Sequence, residues 1–225
     1  MTWAEAVGTL SFSLMIEEFN EPDEPGIPDR DADLPQLLDF LGRMDELKHV
    51  QRQNPVSNGS RRENTAEHSW HVAFACLLFS RYAAESIDTV QCVGLAVVHD
   101  IVEVVEGDTF VYGPQASSRR SREERAIGVL LSSLPRPERE SLERDWREYE
   151  FTQTAEGRYV MALDVLLPIF MNLTAGEQSS WRRHGVDAAA VRRRVDGVRE
   201  TIPALARMAY EAIDKAIERG LLKAA

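Results

Sequence analysis

Residues 93–110 read VGLAVVHDIVEVVEGDTF, with a histidine and an aspartate, His99 and Asp100, side by side in an otherwise apolar run. Val93, Ala96, Val97 and Ile101 recur at intervals of three and four, which predicts a helix over 89–105 stopped by Gly107-Asp108. A carboxylate there is costly to bury unless it is paired with a cation or coordinates one. Two further stretches repeat the pattern. Residues 65–82, TAEHSWHVAFACLLFSRY, place His68 near the start of a helix expected over about 65–85, and residues 156–170, EGRYVMALDVLLPIF, hold Asp164 as the one acid beyond the first turn of the most apolar helix, expected over 155–173. Two imidazoles and two carboxylates from three helices are a ligand set for one divalent cation with open positions: Mn²⁺, Co²⁺, Fe²⁺, Zn²⁺ or Mg²⁺.

His71 lies one turn beyond His68 and competes with it. Glu67-His68-Ser69-Trp70-His71 lacks the four-residue spacing of the zinc proteases. We therefore assign His68 as the ligand and His71 to the core or to supporting contacts. Pro168 cannot donate to the carbonyl of Asp164, so a kink is expected at that ligand.

Outward from these stretches the chain reads as all-α, with no segment alternating at strand period. Asp33 is an expected N-cap for a first core helix carrying Leu34, Leu37, Leu38, Leu41 and Met44. Residues 49–59, HVQRQNPVSNG, are expected to form a loop, because Pro55 and Asn58-Gly59 interrupt the pattern. Helices follow at about 119–134, 137–149 and 187–219, the last broken at Pro203.

Residues 1–33 stand apart as an acidic extension and linker, with nine acids against one base; the remaining 192 residues carry 28 acids and 25 bases. The body therefore tolerates a phosphate ligand, while no basic field exists for a nucleic acid polymer. Within the extension, residues 10–19 could dock on the body or on a second subunit, so a homodimer stands among the expectations. No apolar run was expected to reach the length of a membrane span, and the N-terminus lacks a basic leader. Cys76 and Cys92 sit in apolar helical patterns as buried thiols. A cytoplasmic protein without membrane partners is expected.

Four local stretches together resemble one family: LKHVQRQNP (47–55), RRENTAEHSWHVA (61–73), HDIVEVVEGD (99–108), and REYE followed by TAEGRYVMALD (147–150 and 154–164). In order and separation, His68, His99-Asp100 and Asp164 resemble the H…HD…D signature of HD-domain phosphohydrolases, in the branch that contains the 5'-deoxynucleotidases. The resemblance covers residues 34–225 and implies a helical bundle around a mononuclear metal site. It implies that His68, His99, Asp100 and Asp164 are metal ligands, that Glu103 activates the attacking water, that Asp108 is a second active-site acid and that Arg52 binds the substrate phosphate. Residues 101–163 contain no histidine, as a two-metal relative would require. Two positions depart from the pattern. Gln53 stands where bacterial deoxynucleotidases place a tryptophan associated with sugar discrimination, and Thr109-Phe110-Val111 lacks a proline-containing continuation.

The expected function is removal of phosphate from a nucleoside 5'-monophosphate, deoxynucleosides first, by a metal-activated water. Triphosphate removal, or hydrolysis of another small phosphate ester, is the alternative among enzymes. It would need further cations, for which Arg61, Arg62, Arg119 and Arg120 are candidates. A non-catalytic nucleotide-binding or scaffold protein with a structural metal is the alternative of another class. Asn172, Trp181 and His184 are open to pocket, interface or packing roles.

Overall fold

The computed structural model describes residues 31–224. Expectations about the acidic extension, including the docking segment at 10–19, fall on residues outside those described. The first helix, α1 (Leu34–Met44), begins where expected, but Asp33 makes no side-chain cap. Only part of its expected stripe faces the core, Leu37 and Met44 being partly buried against it. Leu34, Leu38 and Leu41 are exposed, and Phe40 is the buried residue, packed with Leu47, Val98 and Val102.

After a 3-10 turn at Asp45–Lys48, the expected loop at 49–59 is in fact half of a hairpin. Strand β1 (Gln51–Pro55) pairs antiparallel with β2 (Arg62–Asn64). The Asn58-Gly59 signal marks its turn: Gly59 takes φ +70°, its N–H donates to Val56 O at 2.8 Å, and Val56 N donates to Arg61 O at 3.1 Å. Gln51 opposes Asn64 and Pro55 opposes Arg62, so residues 52–54 bulge against Glu63 alone. Bulges re-aim side chains. Arg52, Gln53 and Asn54 consequently all line one cavity.

Helix α2 (Thr65–Phe79) opens with a reciprocal capping box. Asn64 Oδ1 accepts from Glu67 N at 2.9 Å, and the Glu67 carboxylate accepts from Asn64 N at 2.7 Å. That arrangement fixes the first turn, on which His68 sits. Helix α3 (Thr89–Val98), capped by Asp88, is shorter than expected. His99 and Asp100 follow its last residue rather than lying within it, and four residues of turn precede the single turn α4 (Glu103–Glu106). Gly107, at φ +71°, ends that turn as expected.

Helices α5 (Arg119–Leu131) and α6 (Arg136–Phe151) lead to α7 (Ala155–Ala175), which runs on through Pro168. The short α8 (Ser180–His184) follows, and the expected last helix is two, α9 (Ala188–Asp196) and α10 (Pro203–Glu218). Helix α7 packs against α2, α3, α6, α9, α10 and β1. Tyr159, Val160, Leu163 and Leu166 are fully buried along it, each contributing about 1.5–3 kcal/mol of transfer free energy. Contrary to expectation, one segment, Ala155–Gln178, is long and apolar enough to cross a membrane by length and composition. Here it is the central helix of an all-α bundle, and Asp164 lies midway along it.

Candidate metal centre

His68, His99 and Asp100 come together although they start from two different helices. Their ligand atoms all lie within 4.8 Å of one another. His68 Nε2 is 3.8 Å from Asp100 Oδ2, and His99 Nε2 is 3.0 Å from the same oxygen. Ligands about 2.1 Å from a common ion stand roughly 3–4 Å apart, so these separations suit one first-row or magnesium-sized cation. His71 is no part of this group. It is half-buried on the outer side of α2, stacked against the exposed ring of Trp70.

The chemistry of the donor set agrees. His99 Nδ1 donates to the Ala96 carbonyl at 2.7 Å, which fixes the ring with Nε2 turned into the site. That nitrogen is buried without a hydrogen-bond partner, yet it faces the Asp100 carboxylate at 3.0 Å. A cation shared with the Asp100 oxygen would give that nitrogen the partner it lacks. The residues present therefore fit a divalent metal: the protein holds a mononuclear His/His/Asp site.

Asp164, expected as a fourth ligand, stands on α7 beside His68 but outside that three-residue group. Its Oδ1 is 3.0 Å from His68 Nε2, and its Oδ2 accepts the Tyr149 hydroxyl at 3.0 Å. Burial favours the protonated acid, but the hydrogen bond and charge of His68 hold Asp164 well below the usual carboxylate range. The same contact acts on His68. Although burial and Arg52 oppose a charged ring, Asp164 and Glu63 raise its pKa to about 9. Metal binding to His68 would have to displace that proton.

Arg52, nearly buried, sits among acids. Its Nη1 donates to Asp100 Oδ2 at 2.7 Å and lies 3.7 Å from Glu103 and 3.9 Å from Asp108, while Nη2 is 4.0 Å from Asp164 and Nε is 3.6 Å from Glu63. Five carboxylates thus surround one permanent cation, an imbalance that a second, divalent charge would relieve. Glu103 is buried and accepts the Thr65 hydroxyl at 2.6 Å; burial, with the Asp100 charge adding, pushes its carboxyl well up. Asp108 accepts from Gln53 N at 3.1 Å, and burial raises it against the pull of Arg52. The sequence reading missed Glu63, which faces His68 Nδ1 at 3.4 Å, as well as Thr65 and Tyr149. Thr65 and Tyr149 both stand in motifs quoted above, but neither carries a local sign of its partner.

Beside the centre a cavity of about 500 Å³, open mouth included, runs from Arg52, Asp108 and Asp164 to Asn54, Asn172, Trp181 and Arg194. Phe110 and Tyr112 form an aromatic edge, their rings 5.4 Å apart. His184 lies 4.5 Å from the Phe110 ring, and its Nε2 pairs with Gln53 Oε1 at 3.0 Å. Arg61, Arg62, Arg119 and Arg120 do not line this cavity. Arg61 pairs with Glu67, Arg119 with Glu123 and Glu150, and Arg120 with Glu150.

A family model described as "HD domain" matches residues 44–206, a span that takes in the whole centre. The chain belongs to the HD-domain family. Among relatives of this HD domain, 5'-deoxynucleotidase HDDC2 of Homo sapiens is 33% identical over 131 residues, covering 57% of this chain and 62% of that one. The 5'-deoxynucleotidase YGK1 of Saccharomyces cerevisiae is 30% identical over 133 residues, covering 56% and 60%. The chain thus spans less than two thirds of the length of these curated relatives. A solved structure described as a predicted metal-dependent phosphohydrolase, from Magnetospirillum magnetotacticum MS-1, superimposes with a TM-score of 0.80 at 34% identity, covering 88% of this chain and 99% of that one. A conserved hypothetical protein from Pyrococcus furiosus, at 21% identity and a TM-score of 0.55, shares the HD fold.

Proposed function

We propose that this HD domain hydrolyses the phosphate ester of a nucleoside 5'-monophosphate. The observation that carries the reading is the unpartnered His99 Nε2 set against Asp100 beside Arg52, whose side chain lines the neighbouring cavity with Asp108 and Asp164. The named 5'-deoxynucleotidases among the relatives support the same substrate class. In this reading His68, His99, Asp100 and Asp164 hold the metal, which when bound polarises a phosphoryl oxygen and acidifies a water.

The chain's own residues supply the remainder. Arg52 turns part of its guanidinium from the acids to the phosphate, a charge-assisted grip. Glu103, oriented by Thr65 and ionised once a bound metal's charge offsets its burial, takes the proton from the attacking water as its oxygen bonds to phosphorus. The bond from phosphorus to the sugar oxygen breaks, and Asp108, whose burial favours its protonated form, delivers a proton to that leaving oxygen. None of the arginines considered for additional phosphates lines the cavity, and three of them are committed to ion pairs, although a different one, Arg194, does line it.

The test is phosphate release from a panel of nucleoside mono-, di- and triphosphates with Mn²⁺ or Co²⁺. We expect turnover of monophosphates by the native protein and only the uncatalysed background with Asp100→Ala. Bound metal without turnover of any phosphate ester would instead favour a structural metal.

A further inference from the structure

Asn172 is 1% exposed, and the orientation of its amide is dictated by backbone groups that can play one role only. Its Nδ2 donates to the Pro168 carbonyl at 2.9 Å, and its Oδ1 accepts from Ser180 N at 2.7 Å. A carbonyl cannot donate and an amide N–H cannot accept, so the amide cannot be flipped without losing both bonds. The Ser180 hydroxyl, 2.9 Å from Oδ1, has one proton to give, to this oxygen or to Asn54 Oδ1. The second Nδ2 hydrogen points at Asn54, so the Asn54 atom 3.0 Å away must be its oxygen. Ser180 Oγ stands 3.0 Å from that oxygen as well.

The lock has a consequence at the cavity. With Oδ1 of Asn54 held inward, its Nδ2 faces the other way, carrying two N–H donors. Among the described residues it has no hydrogen-bond partner, and it is not sealed from solvent. Asn54 lines the cavity two residues along β1 from Arg52, at most ~7 Å away along the strand. From a phosphate held at Arg52, that span leads to the sugar of a nucleotide.

We propose that the Asn54 side-chain amide is a specificity-determining donor that recognises a hydroxyl oxygen of the substrate's sugar. This rests on the nucleotide reading given above. Asn172 and Ser180 are positioning residues that hold the donor in place before substrate arrives, so little freedom is lost on binding.

The experiment compares kcat/KM for ribonucleoside, 2'-deoxynucleoside and 3'-deoxynucleoside monophosphates sharing one base, in the native protein and in Asn54→Ala. The native protein should discriminate roughly tenfold against the substrate lacking the recognised hydroxyl, as expected for one oriented hydrogen bond. In Asn54→Ala that ratio should fall to near one. Equal rates on all three substrates in the native protein, or a native ratio that persists in Asn54→Ala, overturns the proposal while leaving the nucleotidase reading intact. No turnover of any nucleotide overturns both. Should Asn54→Ala fail to fold, Asn54→Ser, which keeps a hydroxyl for Asn172 and Ser180 but is too short to present the donor, answers the same question.

Discussion

Replacing Tyr149 by phenylalanine removes one oxygen and tests whether Asp164 belongs to the metal centre. Tyr149 is 2% exposed, and its ring packs edge-on against His99 with centroids 5.0 Å apart; phenylalanine preserves both features. Only the hydroxyl donated to Asp164 Oδ2 at 3.0 Å is lost. A hydrogen bond to a buried carboxylate contributes about 1.5–3 kcal/mol, and removing an outer partner of a metal ligand costs about 10–100-fold in metal affinity. At saturating metal, each tenfold loss lowers the ligand-linked stabilisation by about 1.4 kcal/mol. For a domain of this size that is a metal-induced rise in Tm smaller by roughly 3–6 °C. The assay is thermal unfolding with and without Mn²⁺, the variant's own metal-free Tm serving as its reference, so that any general loss of stability cancels. A metal-induced rise equal to the native one within a degree would refute the link from Tyr149 through Asp164 to the ion.

Two further outcomes test the surrounding scaffold. Glu123 is almost fully buried beside Arg119, and burial pushes its carboxyl up to about 7, with Arg119 opposing and Glu150 adding to the rise. Its folded pKa lies above the ordinary 4.5, so the folded state holds the proton more tightly than the unfolded one. Stability should therefore fall as pH rises from about 4.5 to about 7, by up to roughly 3 kcal/mol, and then level off. Glu123→Gln should flatten the loss of Tm between pH 5 and pH 8; an identical loss in both proteins contradicts the assignment. Gly157 sits in the first turn of α7, where an added Cβ would lie 2.5 Å from the Glu148 carbonyl oxygen of α6. Helix propensity alone favours alanine there by about 1 kcal/mol, but overpacking against backbone costs about 1–3 kcal/mol. Gly157→Ala should lower the urea midpoint, and a raised midpoint would show that α6 and α7 can separate freely.

The all-α class was legible because apolar residues recur at three and four over most of the chain, a signal that needs no partner to be read. The His99-Asp100 pair and Asp164 were conspicuous for a related reason: charge inside an apolar helix demands a counter-charge. The hairpin was not legible. Neither QRQNP nor REN alternates, and their pairing depends on a turn at Gly59 and on a bulge that only the opposing strand defines. The stripe of α1 was legible only in part, because leucine periodicity specifies a face but not how much of it a neighbour covers: Leu37 and Met44 pack on the core while Leu34, Leu38 and Leu41 are exposed. His99-Asp100 was placed inside a helix because the apolar pattern continues to Val105, although the helix ends at Val98.

Thr65 and Tyr149 act across gaps that local patterns do not span, Tyr149 and Asp164 being 15 residues apart and Thr65 and Glu103 being 38. The same holds for Asn54, whose orientation is dictated from Asn172 and Ser180, 118 and 126 residues away. Sequence alone determined the helical class and the ligand chemistry, because periodicity and the cost of buried charge are properties of neighbouring residues. Tertiary structure decided which ligand atoms meet and which amide hydrogen faces the cavity, because hydrogen-bond direction exists only once distant groups have been brought within about 3 Å.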